Sequence, residues 1–322
     1  MARLLPGFTV NLLDDLLTGA SILISSGVRP FRGTGHAPDC VVARDDWRRL
    51  DEEEAATLLG EGPRPPAESL SLLDLGEGLL ADAHRALLPF LAGDGTRPGA
   101  VLAGASLADA LRAFQSAVTQ VLFDRYGLVA ETTGAADMIV HQSDQASTAF
   151  NPAAGEFVGL HIDTHQRLPF GERAGAMTLC SVNVGFADRY LDFVNLPVSS
   201  LVRLLAERGV PAPRSSAELK EAFFARFADY PVLRLVLRPG QAYLCVTQNT
   251  IHDGATNHAG MPDVSFLTLH RLAHAAPHAA RLAAAELAGA GPAGAGLAGA
   301  GLAGAGSAGA GLAGAGSAGE KL

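Results

Sequence analysis

Cysteine is scarce in these 322 residues: there are three, Cys40, Cys180 and Cys245, an odd number with no CxxC or zinc-type spacing. That excludes a disulfide framework and a thiolate zinc site, and Cys180 and Cys245, set in apolar strand-like runs, read as buried reduced thiols of a cytoplasmic protein. Positive charge is also short. Lys and Arg number 24 against 33 Asp and Glu, a formal net charge of -9, so no electrostatic attraction favours nucleic acid or an acidic membrane surface as a partner. Long apolar runs are missing too: outside a Gly-broken tail none reaches the roughly eighteen residues that a membrane-spanning helix needs. At the start of the chain Asp14 and Asp15 interrupt the apolar run where a signal peptide needs an unbroken one, so this stretch reads as an amphipathic helix of a soluble, intracellular protein.

What is abundant is glycine and alanine, but in one place. The 37 Gly and the 48% hydrophobic content are inflated by a C-terminal repeat of LAGAG-type pentads that begins at Leu287 and closes with SAGEKL. Two Gly in every five positions raise the backbone entropy cost of any helix, which predicts a disordered tail over 279–322, with silk-like stacking the lesser alternative. The part that can fold is about 285 residues, enough for one sizeable domain. Residues 1–134 carry helical patterns: the opening stretch, Asp45 to Leu59, Leu70 to Leu91 and, most clearly, Ser106 to Tyr126. In the last, Leu107, Leu111, Phe114, Val118, Val121 and Leu122 recur at helical spacing and Gly127 stops the run.

From about Met138 the texture changes to short β-branched and aromatic runs between Gly, Pro, Asn and Asp. Strands are predicted at Met138 to His141, Phe157 to Ile162, Met177 to Val184, Tyr190 to Val194, Val232 to Leu237, Ala242 to Val246 and Val264 to Arg271. Helices are predicted at Val198 to Arg208 and Ser216 to Phe227. The pattern implies a mainly β fold with flanking helices, its core a sandwich or barrel spanning 135–278.

The chemistry-bearing motif is Gly159-Leu160-His161-Ile162-Asp163-Thr164-His165. In a strand, residues i and i+2 share a face, so His161 and Asp163 can reach one metal ion while Ile162 points into apolar packing. A third ligand belongs on a later, neighbouring strand, and RPGQAYLCV leads into Ile251-His252-Asp253-Gly254, 91 residues after His161. A lone HxD is more often structural; here it ends an apolar run, and the later His follows a Pro-Gly turn and a strand. Two imidazoles and one carboxylate on one face of a metal leave positions open, as non-haem Fe(II) oxygenases require.

These residues resemble the phytanoyl-CoA hydroxylase-like branch of the Fe(II)/2-oxoglutarate-dependent dioxygenases. The likeness covers about residues 135 to 272 and rests on HIDTH, RPGQAYLCVTQNTIHDGATN and VSFLTLHR. It implies a double-stranded β-helix, or jelly-roll, core, with Fe(II) held by His161, Asp163 and His252, and 2-oxoglutarate and O2 as co-substrates. It also implies an Arg for the distal carboxylate of 2-oxoglutarate, whose planar fork suits bidentate pairing. Arg271 lies on the expected strand but nineteen residues after His252, which makes Arg173 and Arg189 substitutes; Asn257, a polar residue at the mouth, is a further candidate co-substrate contact. His141, Gln142, His165, Arg167, Asn183, Thr247 and Gln248 are further candidates for the mouth, and turn-capping is the commoner job for such residues.

The implied activity is hydroxylation of an unactivated C–H bond. GVRPFRG, VVARDDWRRL and HIDTHQRLPF look similar to lantibiotic (cinnamycin/duramycin-type) aspartate hydroxylases, which would make the substrate an aspartate or another amino-acid side chain in a precursor peptide of antibiotic biosynthesis. A free or carrier-bound amino acid or other small molecule is the nearest competitor. From other classes, a zinc hydrolase with the same ligands, a metal-binding jelly-roll module without oxygenase activity, and a scaffold acting through its repeat remain as rivals.

Overall fold

The computed structural model describes residues 3–14, 17, 19–59, 64, 66–87, 89, 100–101, 105–257 and 260–274. All of them belong to one compact unit, Met1–Ala275; the repeat expected at 279–322 lies outside the described residues. In chain order the elements begin with strands β1 (Thr9–Leu12), β2 (Ile22–Ser25), β3 (Val28–Pro30), β4 (His36–Ala43) and β5 (Arg48–Arg49), then helix α1 (Glu52–Leu58). Next come β6 (Ser69–Asp74), α2 (Glu77–Leu87), β7 (Ala100–Val101), α3 (Ala105–Tyr126), β8 (Leu128–His141), β9 (Phe150–Asn151), β10 (Glu156–Gly159), β11 (Thr178–Asn183) and β12 (Arg189–Pro197). The series closes with α4 (Val198–Glu207), α5 (Ser216–Arg226), β13 (Val232–Leu237), β14 (Gln241–Cys245), β15 (Thr250–Thr256) and β16 (Asp263–His274).

The strands form three sheets, ordered β1-β6-β14-β11-β16-β8-β7, β15-β12-β13-β2-β5 and β3-β4-β10-β9. Alternation along each strand decides which layer a side chain joins. On the large sheet Met138, Cys180, Val182, Val264 and Phe266 face α2 and α3, where they meet Leu79, Leu107, Leu111, Phe114, Val118 and Leu122. On its other face Leu70, Leu72, Tyr243 and Cys245 pack with Ile22, Ile24, Leu191, Phe193, Leu233 and Leu235 of the five-stranded sheet. The opposite face of that sheet, through Val194, Leu196, Val232 and Ile251, is covered by α4 and α5, whose Leu201, Leu205, Leu219 and Phe223 are buried. No helix among the described residues is long and apolar enough to cross a membrane.

The N-terminal third departs from the expected helices. The opening stretch is extended: β1 pairs in parallel with β6, and β2 pairs antiparallel with β13. Leu70 to Leu91 divides into a strand and a helix at Gly76, whose φ of +87° is a conformation glycine adopts without penalty. The cause is the same in each case. β2 and β6 are enclosed on both faces, so their apolar residues run on without the alternation that marks a half-buried strand. The Asp45 to Leu59 pattern shortens to α1, opened by a capping box between Asp51 and Glu54. α3 matches the periodicity that predicted it.

Candidate metal centre

β10 ends at Gly159 with φ +70°, and a Cβ there would sit 2.4 Å from the Val41 carbonyl oxygen and 2.8 Å from Cys40 Sγ. Glycine lets the chain turn tightly against β4 and then meet β15 in a single antiparallel bridge. His161 N–H donates to His252 O at 2.9 Å, and His252 N–H donates to His161 O at 2.8 Å. This reciprocal pair sets the two imidazoles side by side, with ring centroids 4.5 Å apart. Asp163, two residues on, brings Oδ1 to 3.2 Å from His161 Nε2 and Oδ2 to 3.8 Å from His252 Nε2. One donor atom from each of the three residues thus lies within 4.8 Å of the others, the only such His/Cys/Asp/Glu group among the described residues.

Both rings are oriented from behind. His161 Nδ1 faces Gly159 O at 3.0 Å and His252 Nδ1 faces Thr250 O at 3.3 Å; a carbonyl only accepts, so each Nδ1 carries the hydrogen and each Nε2 turns to the carboxylate. Burial pushes His252 down to about 4, reinforced by the charge of His161, so this ring is neutral. Burial also opposes ionisation of Asp163, but the hydrogen bond and charge of His161, with a smaller contribution from Thr247, outweigh it and hold the carboxyl well below the usual range. For His161 the cost of burial is outweighed by Asp163, and its pKa rises. A carboxylate anion with two imidazole nitrogens is a donor set that fits a divalent first-row metal, and three protein ligands leave sites for other ligands.

The three donors line a cavity of about 370 Å³ between the two large sheets. Its wall follows the alternation of the strands: Ile139 and His141 from β8, Leu179 from β11, Ser265 and Leu267 from β16, and Gly254 from β15. Arg189, at the start of β12, enters the same cavity and is 5% exposed. Its Nη1 donates to Ser181 Oγ at 3.3 Å and its Nε lies 3.6 Å from Asp263 Oδ1. Around it Ser265 Oγ, His141 Nδ1 and both Asp263 oxygens are buried without a hydrogen-bond partner among the described residues. Burial, then the charge of Arg189, pushes His141 down to about 3, so it too is neutral. One cavity therefore holds a metal-type donor set and a buried cation beside orphaned polar atoms.

No protein-family model matches the chain, and no curated protein matches it. Among solved structures it is similar to the epimerase SnoN in complex with Fe3+, alpha ketoglutarate and nogalamycin RO, at 18% identity over 71% of this chain and 91% of that one, with a TM-score of 0.39. It is likewise similar to the Kdo hydroxylase KdoO, a non-heme Fe(II) alphaketoglutarate-dependent dioxygenase, at 14% identity over 63% and 79% with a TM-score of 0.39. AviO1 from Streptomyces viridochromogenes Tue57 matches at 11% identity over 65% and 91%, with a TM-score of 0.38. Likeness at this level leaves the assignment to the site's own geometry.

The other expected residues fall in different places. Arg271 is exposed and donates to Gly175 O at 3.1 Å, away from the cavity wall. Arg173 is buried elsewhere, donating to Leu168 O, Ser216 Oγ and Gln248 O and lying over the Phe170 ring. Asn257 follows β15, and its carbonyl accepts from Asp144 N–H. Gln142 lines a separate cavity of about 750 Å³, on the far side of β15 with Tyr190, Asp192 and Arg234. Asn183 closes the β11–β12 turn through Ala187 O and Leu237 O. Arg167 is exposed with a left-handed φ of +52°. Asp263 and Ser265 were not legible as site residues, although the alternation of VSFLTLHR separates Ser265 and Leu267 from Val264 and Phe266 and was a usable signal.

Proposed function

We propose that this chain is a non-haem Fe(II)/2-oxoglutarate-dependent hydroxylase in which His161, Asp163 and His252 hold the iron and Arg189 receives the distal carboxylate of 2-oxoglutarate. The observation that carries this reading is the convergence of both groups on one cavity. β12 and β15 pair so that Arg189 stands opposite Thr256 and Phe193 opposite His252. The cation is therefore four residues, roughly 13 Å of strand, from the metal ligand. A five-carbon dicarboxylate and the arginine side chain together fit that interval. A structural zinc site, with four protein ligands, does not fit three donors.

Bound Fe(II), with 2-oxoglutarate and O2, would supply the oxidising power to break an unactivated C–H bond. The protein's own residues bind, orient and shield. Gly159 O and Thr250 O fix the imidazoles, Arg189 with His141 and Ser265 offers donors to a carboxylate, and Ile139, Leu179 and Leu267 keep that end apolar. The strand orders β14-β11-β16-β8 and β13-β12-β15, with the bridge between His161 and His252 bringing the end of β10 to the second sheet, support a jelly-roll reading of the core. The substrate is a small molecule or peptide; an aspartate or similar side chain in a precursor peptide rests on sequence resemblance alone.

Anaerobic Fe(II) with 2-oxoglutarate is expected to give a weak visible charge-transfer band in the wild-type protein and none in Asp163→Ala. A protein that binds Fe(II) yet shows no band at saturating 2-oxoglutarate overturns the assignment and points to the hydrolytic alternative. Succinate release stimulated by candidate peptides, compared with free aspartate, then separates the substrate classes.

A further inference from the structure

HIDTH places a third imidazole two residues beyond Asp163, close enough to raise a question about coordination. His165 Nδ1 lies 3.9 Å from Asp163 Oδ2. A third imidazole on the metal would add a fourth protein ligand and close the site in the manner of a structural centre. Whether His165 ligates or donates depends on which nitrogen bears its hydrogen, and its neighbours decide that.

A chain of amides fixes the tautomer. Met177 N–H donates to Gln166 Oε1 at 2.7 Å, and Gln166 N–H donates to Gln248 Oε1 at 3.0 Å. Backbone N–H groups only donate, so both side-chain oxygens are located and neither amide can be flipped. Gln248 Nε2 then donates one hydrogen to Gln166 Oε1 at 2.7 Å and faces His165 Nε2 at 3.2 Å with the other. His165 Nε2 is therefore an acceptor whose lone pair is used. The ring hydrogen sits on Nδ1, toward Asp163. Gln248 is fully buried and its backbone carbonyl accepts from Arg173 Nη1 at 3.4 Å, so the main chain that carries this amide is anchored as well.

We propose that His165 is a positioning residue for the ligand carboxylate, kept out of coordination by Gln248 and turning Nδ1–H toward Asp163 Oδ2 across 3.9 Å, a gap that closes to a hydrogen bond when the metal is bound, so that Oδ1, the oxygen nearer His161 Nε2, is left for the metal. The effect is single-oxygen ligation and an open site. The inference rests on the metal-site reading above and adds a residue outside the ligand set. It also gives a role to Gln166 and Gln248, which lie outside the metal cavity wall.

The test is anaerobic Co(II) titration, followed by d–d absorption, of the wild type and of His165→Leu, His165→Asn and His165→Gln. The Asn amide nitrogen occupies the place of Nδ1, whereas the Gln amide reaches only to that of Nε2. The Leu and Gln variants are expected to bind Co(II) about 10- to 100-fold more weakly with an altered spectrum, and the Asn variant to stay within a few-fold of wild type. About a third of the His165 side chain is exposed, so metal-free thermal midpoints should coincide; if Leu folds poorly, the Asn and Gln pair gives the same contrast. Wild-type affinity in the Leu and Gln variants, or an Asn variant as weak as they are, overturns the proposal and leaves the metal site standing. A wild-type protein that binds no Co(II) overturns both.

Discussion

Replacing Arg189 with Met perturbs stability and co-substrate binding through one guanidinium, and the structure lets the two be separated. The Arg189 and Asp263 side chains are each 6% exposed, with Nε 3.6 Å from Oδ1. Neither Asp263 oxygen has a hydrogen-bond partner among the described residues. Removing the cation strands a buried carboxylate, which costs about 3–5 kcal/mol while it stays ionised. Burial already raises the pKa of Asp263, and the charge of Arg189 is what pulls it back, so in the variant it rises further. A raised carboxyl favours the folded state at low pH. The loss should therefore be small below about pH 4, where the unfolded chain is also protonated, grow as pH climbs through the folded pKa, and be complete above it. Urea denaturation at pH 5 and pH 8 should show the larger deficit at pH 8, and the added change Asp263→Asn should recover most of it. Binding behaves otherwise. Truncating one partner of a buried charge pair costs about 2–5 kcal/mol, or roughly 30-fold to several-thousand-fold in affinity for 2-oxoglutarate, and Asp263→Asn cannot restore it. Titration of the anaerobic charge-transfer band reads this directly. Affinity within threefold of wild type in Arg189→Met, or recovered affinity in the double variant, refutes the assignment.

Arg271→Ala, by contrast, removes an exposed guanidinium bonded to Gly175 O, and should leave 2-oxoglutarate affinity unchanged and stability within about 0.5 kcal/mol by urea denaturation. Gly159→Ala forces a side chain into a φ of +70° and against Val41 O; isothermal titration should show lost metal affinity together with lowered stability, because the Gly159 carbonyl that orients His161 must move. Asp192→Ala breaks a bidentate pair with Arg234 at 2.7 and 2.8 Å, in which the guanidinium lies between the Trp47 and Tyr190 rings, and should cost about 3–5 kcal/mol in urea denaturation with metal binding intact. Co(II) at a hundred times its Kd should stabilise the wild type by about 2.7 kcal/mol in thermal melts and His252→Ala not at all.

The candidate donors His161 and Asp163 were singled out from a strand expected over Phe157 to Ile162, but β10 stops at Gly159, and beyond it the isolated bridge between His161 and His252 holds the segment. The two-residue spacing still brings both side chains to one side, because the backbone past Gly159 stays close to β15. His252 needed more: a Pro-Gly turn and apolar run predicted a strand, but only pairing brings it to His161. Strands β11, β12, β13, β14 and β16 were visible from composition, and β15 was not recognised as a strand, because TIHDGAT carries the polar residues that the site requires. The same exchange of local rule for tertiary context hid β1, β2 and β6, whose near-continuous burial removes the alternation that sequence reading relies on.

Arg189 shows where such reading stops. The spacing rule looked for a cation after His252 on the last strand, and Arg271 is indeed on β16, yet exposed. Which strand supplies a cavity cation depends on side-chain facing and depth, and several strands reach the same depth when two sheets face each other. On β12 the inward series is Arg189, Leu191, Phe193; opposite it on β15 run Thr256, Gly254, His252. The middle position of β15 must be small, since a Cβ on Gly254 would fall 2.1 Å from Thr148 Oγ1 and 3.4 Å from Arg189 Nη2. The glycine two residues past the distal histidine thus makes room for Thr148, whose N–H donates to Gly254 O at 2.8 Å, with the Arg189 guanidinium at ordinary contact distance beside it. Nothing in the local sequence marks that requirement; it is set by the segment that crosses β15 and by the pairing of β15 with β12.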